Sequence, residues 1–245
     1  GTNEPPDYAI TSPNSWNRSN CITRAATEEP GMSGMSIVTY DRHIELDIKT
    51  KEPFDRIWAF HHREAPLLTV PDSLSDGICC PALDNDEMTL IPLSRPVEQI
   101  RLCASVADSS FAHSAFYGFS LENGRSGVLY HSFGINGNTY AAINRNPQIV
   151  RQASGLCPDL VIVSLGTNDS YGPTFDPADA DLQITRLIDS IRRNMPASVL
   201  LLTTPMEHCR RIRSKGRTYR KPNPNACAMR ECILRQAALY RLPVW

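Results

Sequence analysis

Leu160-Val161-Ile162-Val163-Ser164-Leu165-Gly166-Thr167-Asn168-Asp169 is a short apolar run, rich in β-branched residues, that stops at a turn of small and polar ones. This pattern predicts a buried parallel strand delivering polar groups to the carboxyl edge of an α/β sheet. Ligands of such sheets bind beyond the carboxyl ends of the strands. Asn168 therefore lies where its side-chain amide can donate to a ligand.

The flanking sequence keeps the alternation. A helix is expected from Ala141 to Ala153, before the strand, and another from Asp179 to Met195, after it. In the second helix Ile184, Ile188, Ile191 and Met195 recur at the spacing of one apolar face. Ser198 to Thr203 reads as the next buried strand and Ala226 to Tyr240 as the next helix. Leu242-Pro243-Val244-Trp245 opens a further strand, and a sheet strand that starts on the last residues is an odd place for a domain to end. Strands alternating with helices imply a parallel sheet with right-handed crossovers. Residues 131–245 are thus expected to form an incomplete α/β domain.

Residues 1–130 read differently. His43-Ile44-Glu45-Leu46-Asp47-Ile48-Lys49 alternates strictly between apolar and polar, as a half-buried strand does. Further short strands are expected at Arg56–Phe60, Met88–Ile91 and Gln99–Ser105, with Pro53, Pro66, Pro71, Pro81, Pro92 and Pro96 between them. Phe116–Glu122 and Gly127–His131 flank Asn123-Gly124-Arg125-Ser126, which suggests a hairpin with an Asn-Gly turn. Repeated short strands with turn signals indicate a β-sandwich or jelly roll.

The bulk properties are unremarkable. A net charge of −1 over 245 residues supplies no reason to expect nucleic acid or an anionic membrane as partner. No apolar run is long enough to span a bilayer, and the first residues show no signal-peptide pattern. The eight cysteines form no C-x-x-C pair, and most are expected to be small buried hydrophobes. No metal or other cofactor is expected.

Two loops at strand ends carry the candidate chemistry: Gly134-Ile135-Asn136-Gly137-Asn138-Thr139 and Gly166-Thr167-Asn168-Asp169. Together they resemble the second and third sequence blocks of the SGNH (GDSL-type) hydrolases, esterases built on a flavodoxin-like three-layer sheet. The resemblance implies an oxyanion hole made by the Gly137 backbone N–H and the Asn168 side-chain amide. The residue types suit the task. A tetrahedral intermediate needs fixed donors about 3 Å from its oxyanion. Glycine lets the backbone approach closely, and asparagine donates without a charge to desolvate. Phe116-Tyr117-Gly118-Phe119-Ser120-Leu121-Glu122-Asn123, Gly127-Val128-Leu129-Tyr130-His131-Ser132 and Pro222-Asn223-Pro224-Asn225 look like one branch of that family. That branch includes bacterial peptidoglycan O-acetylesterases with an inserted jelly roll similar to a carbohydrate-binding module. It implies an O-acetylated glycan or peptidoglycan as partner, and a secreted or periplasmic location in bacteria.

Two blocks of the family pattern are missing. No Gly-Asp-Ser supplies a nucleophile, and no Asp-x-x-His supplies a base and its orienting acid. Without them, attack on an ester has no activated nucleophile. The chain reads as the middle of an esterase, with Ser, Asp and His expected outside it. Ala107-Asp108-Ser109 is the nearest decoy, but a hairpin rather than a crossover helix is expected to follow Ser109. His208 lies on the correct sheet edge. Its neighbours Arg210, Arg211, Arg213, Lys215, Arg217, Arg220 and Lys221 make a basic exposed loop, able to cover the site or touch a polyanionic glycan. His61 and His62 are expected at the surface, and Asp169 is expected to hold its loop by accepting backbone amides.

For Gly137 and Asn168 the competing explanation is turn chemistry, which favours both residue types. At the level of the whole chain, the competing function is a glycan-binding module on an inactive α/β scaffold. Tyr8, Trp16, Tyr40 and Trp58 would be its aromatic contacts. A nucleotide-binding domain is a weaker alternative, since no Gly-rich phosphate loop follows a strand.

Overall fold

The computed structural model describes residues 7–23, 28–77, 87–108, 111–214 and 216–245. The chain divides into two compact units, Gly1–Phe133 and Gly134–Trp245.

The first unit is all β. Its strands are β1 (Tyr8–Thr11), β2 (Asn17–Asn20), β3 (Met35–Thr39), β4 (His43–His61), β5 (Met88–Ser105) and β6 (Ser114–Glu122). The long strand β4 organises the sheet. One edge pairs antiparallel with β5, from His43↔Ser105 to Phe60↔Met88. The other edge takes β1 near Ile48 and β6 near Ile57. From β6 the sheet continues to β3 and then β2. The alternation at the start of β4 does what the sequence predicts: Ile44, Leu46 and Ile48 are buried while Glu45, Asp47 and Lys49 point outward. Ile57, Ile91, Leu102 and Phe116 complete the same core.

Three expectations for this half need correction. Met88–Ile91 and Gln99–Ser105 are one strand, β5, with Pro92 and Pro96 inside it. Among the described strands β5 pairs with β4 alone, and Thr69 and Ser75 add only isolated bridges on its other edge, so that edge carries no continuous ladder for residues that cannot donate to interrupt. Pro53 likewise lies inside β4, where the register with β5 shifts between Lys49 and Phe54; a bulge leaves its missing N–H without cost. The hairpin at Asn123-Gly124 does not form. β6 ends at Glu122, and residues 127–139 are neither strand nor helix. Val128 is 93% exposed, with Leu129 and Tyr130 also exposed. A strand pattern in sequence becomes a strand only where a neighbour offers a ladder, and no described strand lies alongside this one.

The second unit contains α1 (Tyr140–Asn144), α2 (Gln148–Ala153), β7 (Leu160–Val163), α3 (Pro177–Asn194), β8 (Val199–Leu202), β9 (Cys209–Ser214), β10 (Arg217–Pro222) and α4 (Pro224–Tyr240). β7 and β8 are parallel, from Leu160↔Val199 to Val163↔Leu202, and Val244 bridges to the far edge of β8. The final residues, which the sequence suggests as a strand, thus meet β8 at an isolated parallel bridge. α3 starts with Asp176 capping Ala178 N–H at 2.9 Å and Pro177 in the first turn. Its Ile184, Leu187, Ile188 and Ile191 pack with Leu200, Leu202, Met229 and Ile233.

Two details differ from expectation. The single helix from Ala141 to Ala153 is two short ones, because Pro147 cannot donate and blocks helix continuation through it. The β7–β8 pair is packed on one face among the described residues. Leu160 and Ile162 are 50% and 48% exposed, and Val199 on the same side is also exposed. The strand is half-buried rather than buried, with helices of this unit covering one of its faces among the described residues. Successive crossovers of one hand, progressing in one direction, place their helices on one side of a sheet.

Candidate active site

At the carboxyl end of β7 the chain turns at Gly166, whose φ of +112° disfavours any side chain. A Cβ there would also meet Met229 Cγ at 3.2 Å and Ile233 Cδ1 at 3.3 Å, so the loop lies close against α4. The turn is closed by Ser170, whose N–H and Oγ both donate to the Gly166 carbonyl, at 3.1 and 2.8 Å.

Asp169 joins this loop to the preceding one. Its Oδ2 accepts from Gly166 N–H at 3.1 Å, and its Oδ1 accepts from Tyr140 N–H at 2.9 Å. Burial pushes the Asp169 carboxyl upward, against the opposing pull of backbone N–H groups from Tyr140, Asp169 itself and Gly166. Its two accepted bonds fit the loop-holding role read from the sequence. Tyr140 is buried with no partner for its hydroxyl among the described residues, and desolvation, with the Asp169 charge second, pushes that phenol upward.

Asn168 is exposed at the tip of the turn. One N–H of its amide donates to the Asn138 carbonyl at 3.0 Å. The 134–139 loop is itself a tight turn, closed by Asn138 N–H to the Ile135 carbonyl at 3.1 Å. Gly137 sits in it at φ +89°. Among the described residues the Gly137 N–H has no acceptor, and the second Asn168 N–H has none either. Thr139 then caps α1 through Ala142 N–H at 3.0 Å. The fold thus brings the two loops together through Asn168–Asn138 and Asp169–Tyr140. Gly137 is next in sequence to the carbonyl that holds Asn168. A backbone N–H and a side-chain N–H, both left unspent on adjoining loops, are donors of the type that a developing oxyanion accepts.

His208 is brought to the same edge, and its geometry was not legible in the sequence. Its ring stacks on Tyr171 at 5.9 Å. Asn223 Nδ2, buried, lies 2.9 Å from His208 Nε2 and donates to the Ser170 carbonyl at 2.7 Å. Nδ1 faces the Met206 carbonyl at 3.2 Å. Both ring nitrogens are engaged, so the imidazole fastens a loop and has no nitrogen turned to a substrate.

Ser109 lies outside the described residues. Among the described residues the serine–histidine–acid contact is elsewhere, in the first unit. Ser105 Oγ is 2.9 Å from His43 Nδ1, and His43 Nε2 is 3.0 Å from Glu45 Oε1. Cross-strand pairing of His43 with Ser105 creates it, on an open sheet surface where Arg101 also engages Glu45 at 3.3 Å. His61 is not at the surface. It is 4% exposed, with Nε2 2.7 Å from Thr89 Oγ1 and Nδ1 2.9 Å from the His62 carbonyl, because its position at the end of β4 turns the ring inward against Phe116. Of the six described cysteines, Cys157, Cys209 and Cys227 are exposed, so the expectation that most are buried fails. Cys79 and Cys80 lie outside the described residues. Trp16 packs edge-on against Phe116 in the core, leaving Tyr8 and Tyr40 as the well-exposed aromatics among the four proposed for glycan contact.

A sequence comparison identifies the family. Residues 107–244 match the GDSL-like Lipase/Acylhydrolase family. The chain belongs to that family. No curated protein sequence matches it. Among solved structures, a peptidoglycan O-acetylesterase superposes with a TM-score of 0.70 at 16% identity, covering 97% of this chain and 64% of that one. The SGNH-type hydrolase fold is therefore shared, and the chain spans under two thirds of that relative's length. A possible lipase from Chitinophaga pinensis DSM 2588 aligns with 23% identity over 47% of this chain and 51% of its own, at a TM-score of 0.36. A family two carbohydrate esterase from Cellvibrio japonicus aligns at 11% identity over 97% and 87%, at a TM-score of 0.33. No helix among the described residues is long and apolar enough to cross a membrane.

Proposed function

We propose that this chain is the oxyanion-bearing region of a carboxylic-ester hydrolase that removes O-acetyl groups from a carbohydrate or peptidoglycan. The observation that carries the reading is the fixed, exposed Asn168 amide beside the unspent Gly137 N–H at the carboxyl end of β7. Family membership supports hydrolysis, and the superposed peptidoglycan O-acetylesterase supports the acetyl-glycan substrate. In this reading the residues 1–130 serve as a jelly-roll insert that holds glycan, residues 131–245 carry the hydrolase part, and the protein works outside the bacterial cytoplasm.

The chemistry is acyl transfer. A serine hydroxyl, deprotonated by a histidine that an aspartate orients, attacks the acetyl carbonyl carbon. The carbonyl oxygen becomes an oxyanion, which the Gly137 N–H and Asn168 Nδ2–H stabilise. The intermediate collapses with loss of the sugar hydroxyl, which takes the proton from the histidine. Water then releases acetate through a second such intermediate. Serine and histidine of this kind do not converge on Asn168 among the described residues, so the short chain is expected to be inactive.

Acetyl release from 4-nitrophenyl acetate tests this. The 245-residue chain should show no turnover above background. A version extended by its flanking sequence at both ends should turn over, and Asn168→Ala in that version should lower kcat by about 10²–10³-fold. Turnover by the short chain that Asn168→Ala abolishes would overturn the expected inactivity. An extended enzyme indifferent to Asn168→Ala would remove the oxyanion role. In the rival reading, a glycan-binding module, binding to insoluble peptidoglycan would survive Asn168→Ala with no turnover in either version.

A further inference from the structure

The basic segment after β8 is not an irregular loop. It is a two-stranded antiparallel hairpin, β9–β10, running from Cys209↔Pro222 to Ser214↔Arg217. Because strand side chains alternate between faces, paired residues share a face. One face carries Arg210 opposite Lys221, then Ile212 opposite Tyr219, then Arg217. The other carries Arg211 opposite Arg220, then Arg213 opposite Thr218. Two cation pairs are therefore placed directly across from one another. Such pairs destabilise a ladder, and an isolated two-stranded hairpin is marginal to begin with. None of the six described cations forms an ion pair with a described acid. All of β10 is exposed. Charge concentrated this way, in a chain of net charge −1, is a local feature that an external anion can offset.

The foot of the hairpin is fastened to the Asn168 loop. Asn223 N–H donates to the His208 carbonyl at 3.0 Å, closing the base of the hairpin. Asn223 Nδ2 reaches Ser170, Asn225 Nδ2 donates to the Gly172 carbonyl at 2.9 Å, and Tyr171 stacks on His208. A polymer gripped by the hairpin is thereby held at a fixed place relative to the turn that carries Asn168.

We infer that the face formed by Arg210, Arg217, Tyr219 and Lys221 binds a carboxylate-bearing polysaccharide and presents it to the Asn168 loop. The inference rests on the glycan-ester reading above for its choice of polymer. Tyr219 lies on β10 between Arg217 and Lys221, two residues from each, so a sugar ring can lie on the phenol while its carboxylates meet the flanking cations. A single basic segment on a neutral chain fits one strand of glycan better than the broad basic footprint of a nucleic-acid binder.

Binding of the 245-residue chain to polygalacturonate tests it, with fully methyl-esterified polygalacturonate and oligodeoxythymidylate as the comparison polymers. Polygalacturonate should bind at least tenfold more tightly than the methyl ester and the oligonucleotide, and its binding should weaken as salt is raised. Arg210→Gln/Arg217→Gln/Lys221→Gln should lose tenfold or more, Tyr219→Ala several-fold, and Arg210→Lys/Arg217→Lys little. The Gln variant relieves the Arg210–Lys221 pair and should unfold at the same temperature or higher. If it unfolds lower, Lys221→Gln alone, expected to lose about threefold, decides. Unchanged affinity after charge removal overturns the inference, as does oligonucleotide binding as tight as polygalacturonate binding. No ester takes part in this assay, and uncharged 4-nitrophenyl acetate does not need the hairpin. Failure here is thus separate from failure of the esterase reading.

Discussion

Asp169 shows how one carboxylate ties two loops, accepting Gly166 N–H from its own turn and Tyr140 N–H from the start of α1. Asp169→Ala leaves both donors without a protein acceptor. It should cost about 2–6 kcal/mol in urea unfolding, at ~1–3 kcal/mol for each of the two unsatisfied buried groups. The pH dependence has a definite sign. Burial raises the carboxyl above its ordinary 3.8, so the folded state holds the proton more tightly than the unfolded chain. This group's contribution to stability is complete below 3.8 and is lost as pH rises through the higher folded value. As pH rises above 3.8 through the range in which the raised carboxyl ionises, the wild type should lose stability relative to Asp169→Asn, whose amide does not titrate. A constant difference between the two across that range would mean that Asp169 is not perturbed. Gly166 is decided by two constraints together, its positive φ and the nearness of Met229 and Ile233. Gly166→Ala should therefore destabilise by about 1–3 kcal/mol, read from the thermal midpoint. A neutral result would place the loop farther from α4.

Among elements, the long helices obeyed their sequence pattern because periodic burial leaves little choice. Ile184, Ile188 and Ile191 of α3 are all buried, as their spacing requires. Ile188→Ala should cost about 2–5 kcal/mol in unfolding free energy, and less than 1 kcal/mol would show that the helix repacks. The elements that departed from expectation each turn on a neighbour. Pro92 and Pro96 are accommodated in β5 since, among the described residues, its edge away from β4 carries isolated bridges and no continuous ladder. Gly127–His131 has a strand-like composition and no described ladder to join. The basic residues from Arg210 to Lys221 form a hairpin because Asn223, His208 and Ser170 fasten its two ends.

Over the molecule as a whole, the parallel sheet of the second unit is not equally protected on its two edges. β8 is flanked by β7 on one side and by Pro243–Trp245 on the other, through Trp245 N–H to the Leu202 carbonyl at 2.9 Å and Leu202 N–H to the Pro243 carbonyl at 3.1 Å. β7 pairs only with β8 among the described strands. Amides of β7 that point away from β8 should exchange with solvent faster than any in β8. Equal protection across both strands would show that another segment covers that edge.

The sequence alone determined the class of each half, the alternation of β7, α3, β8 and α4, and the two loops bearing Gly137 and Asn168. These follow from periodicity, turn chemistry and the spacing of small polar residues, all of which are local. Tertiary structure alone decided that Asn168 is anchored on the Asn138 carbonyl with one N–H unspent. It also decided that Asn223 engages His208, that His61 is buried, and that the basic run is an arm fixed beside the site. Each depends on groups tens of residues apart finding one another's hydrogen-bonding atoms, and that pairing is set by packing and not by any local pattern.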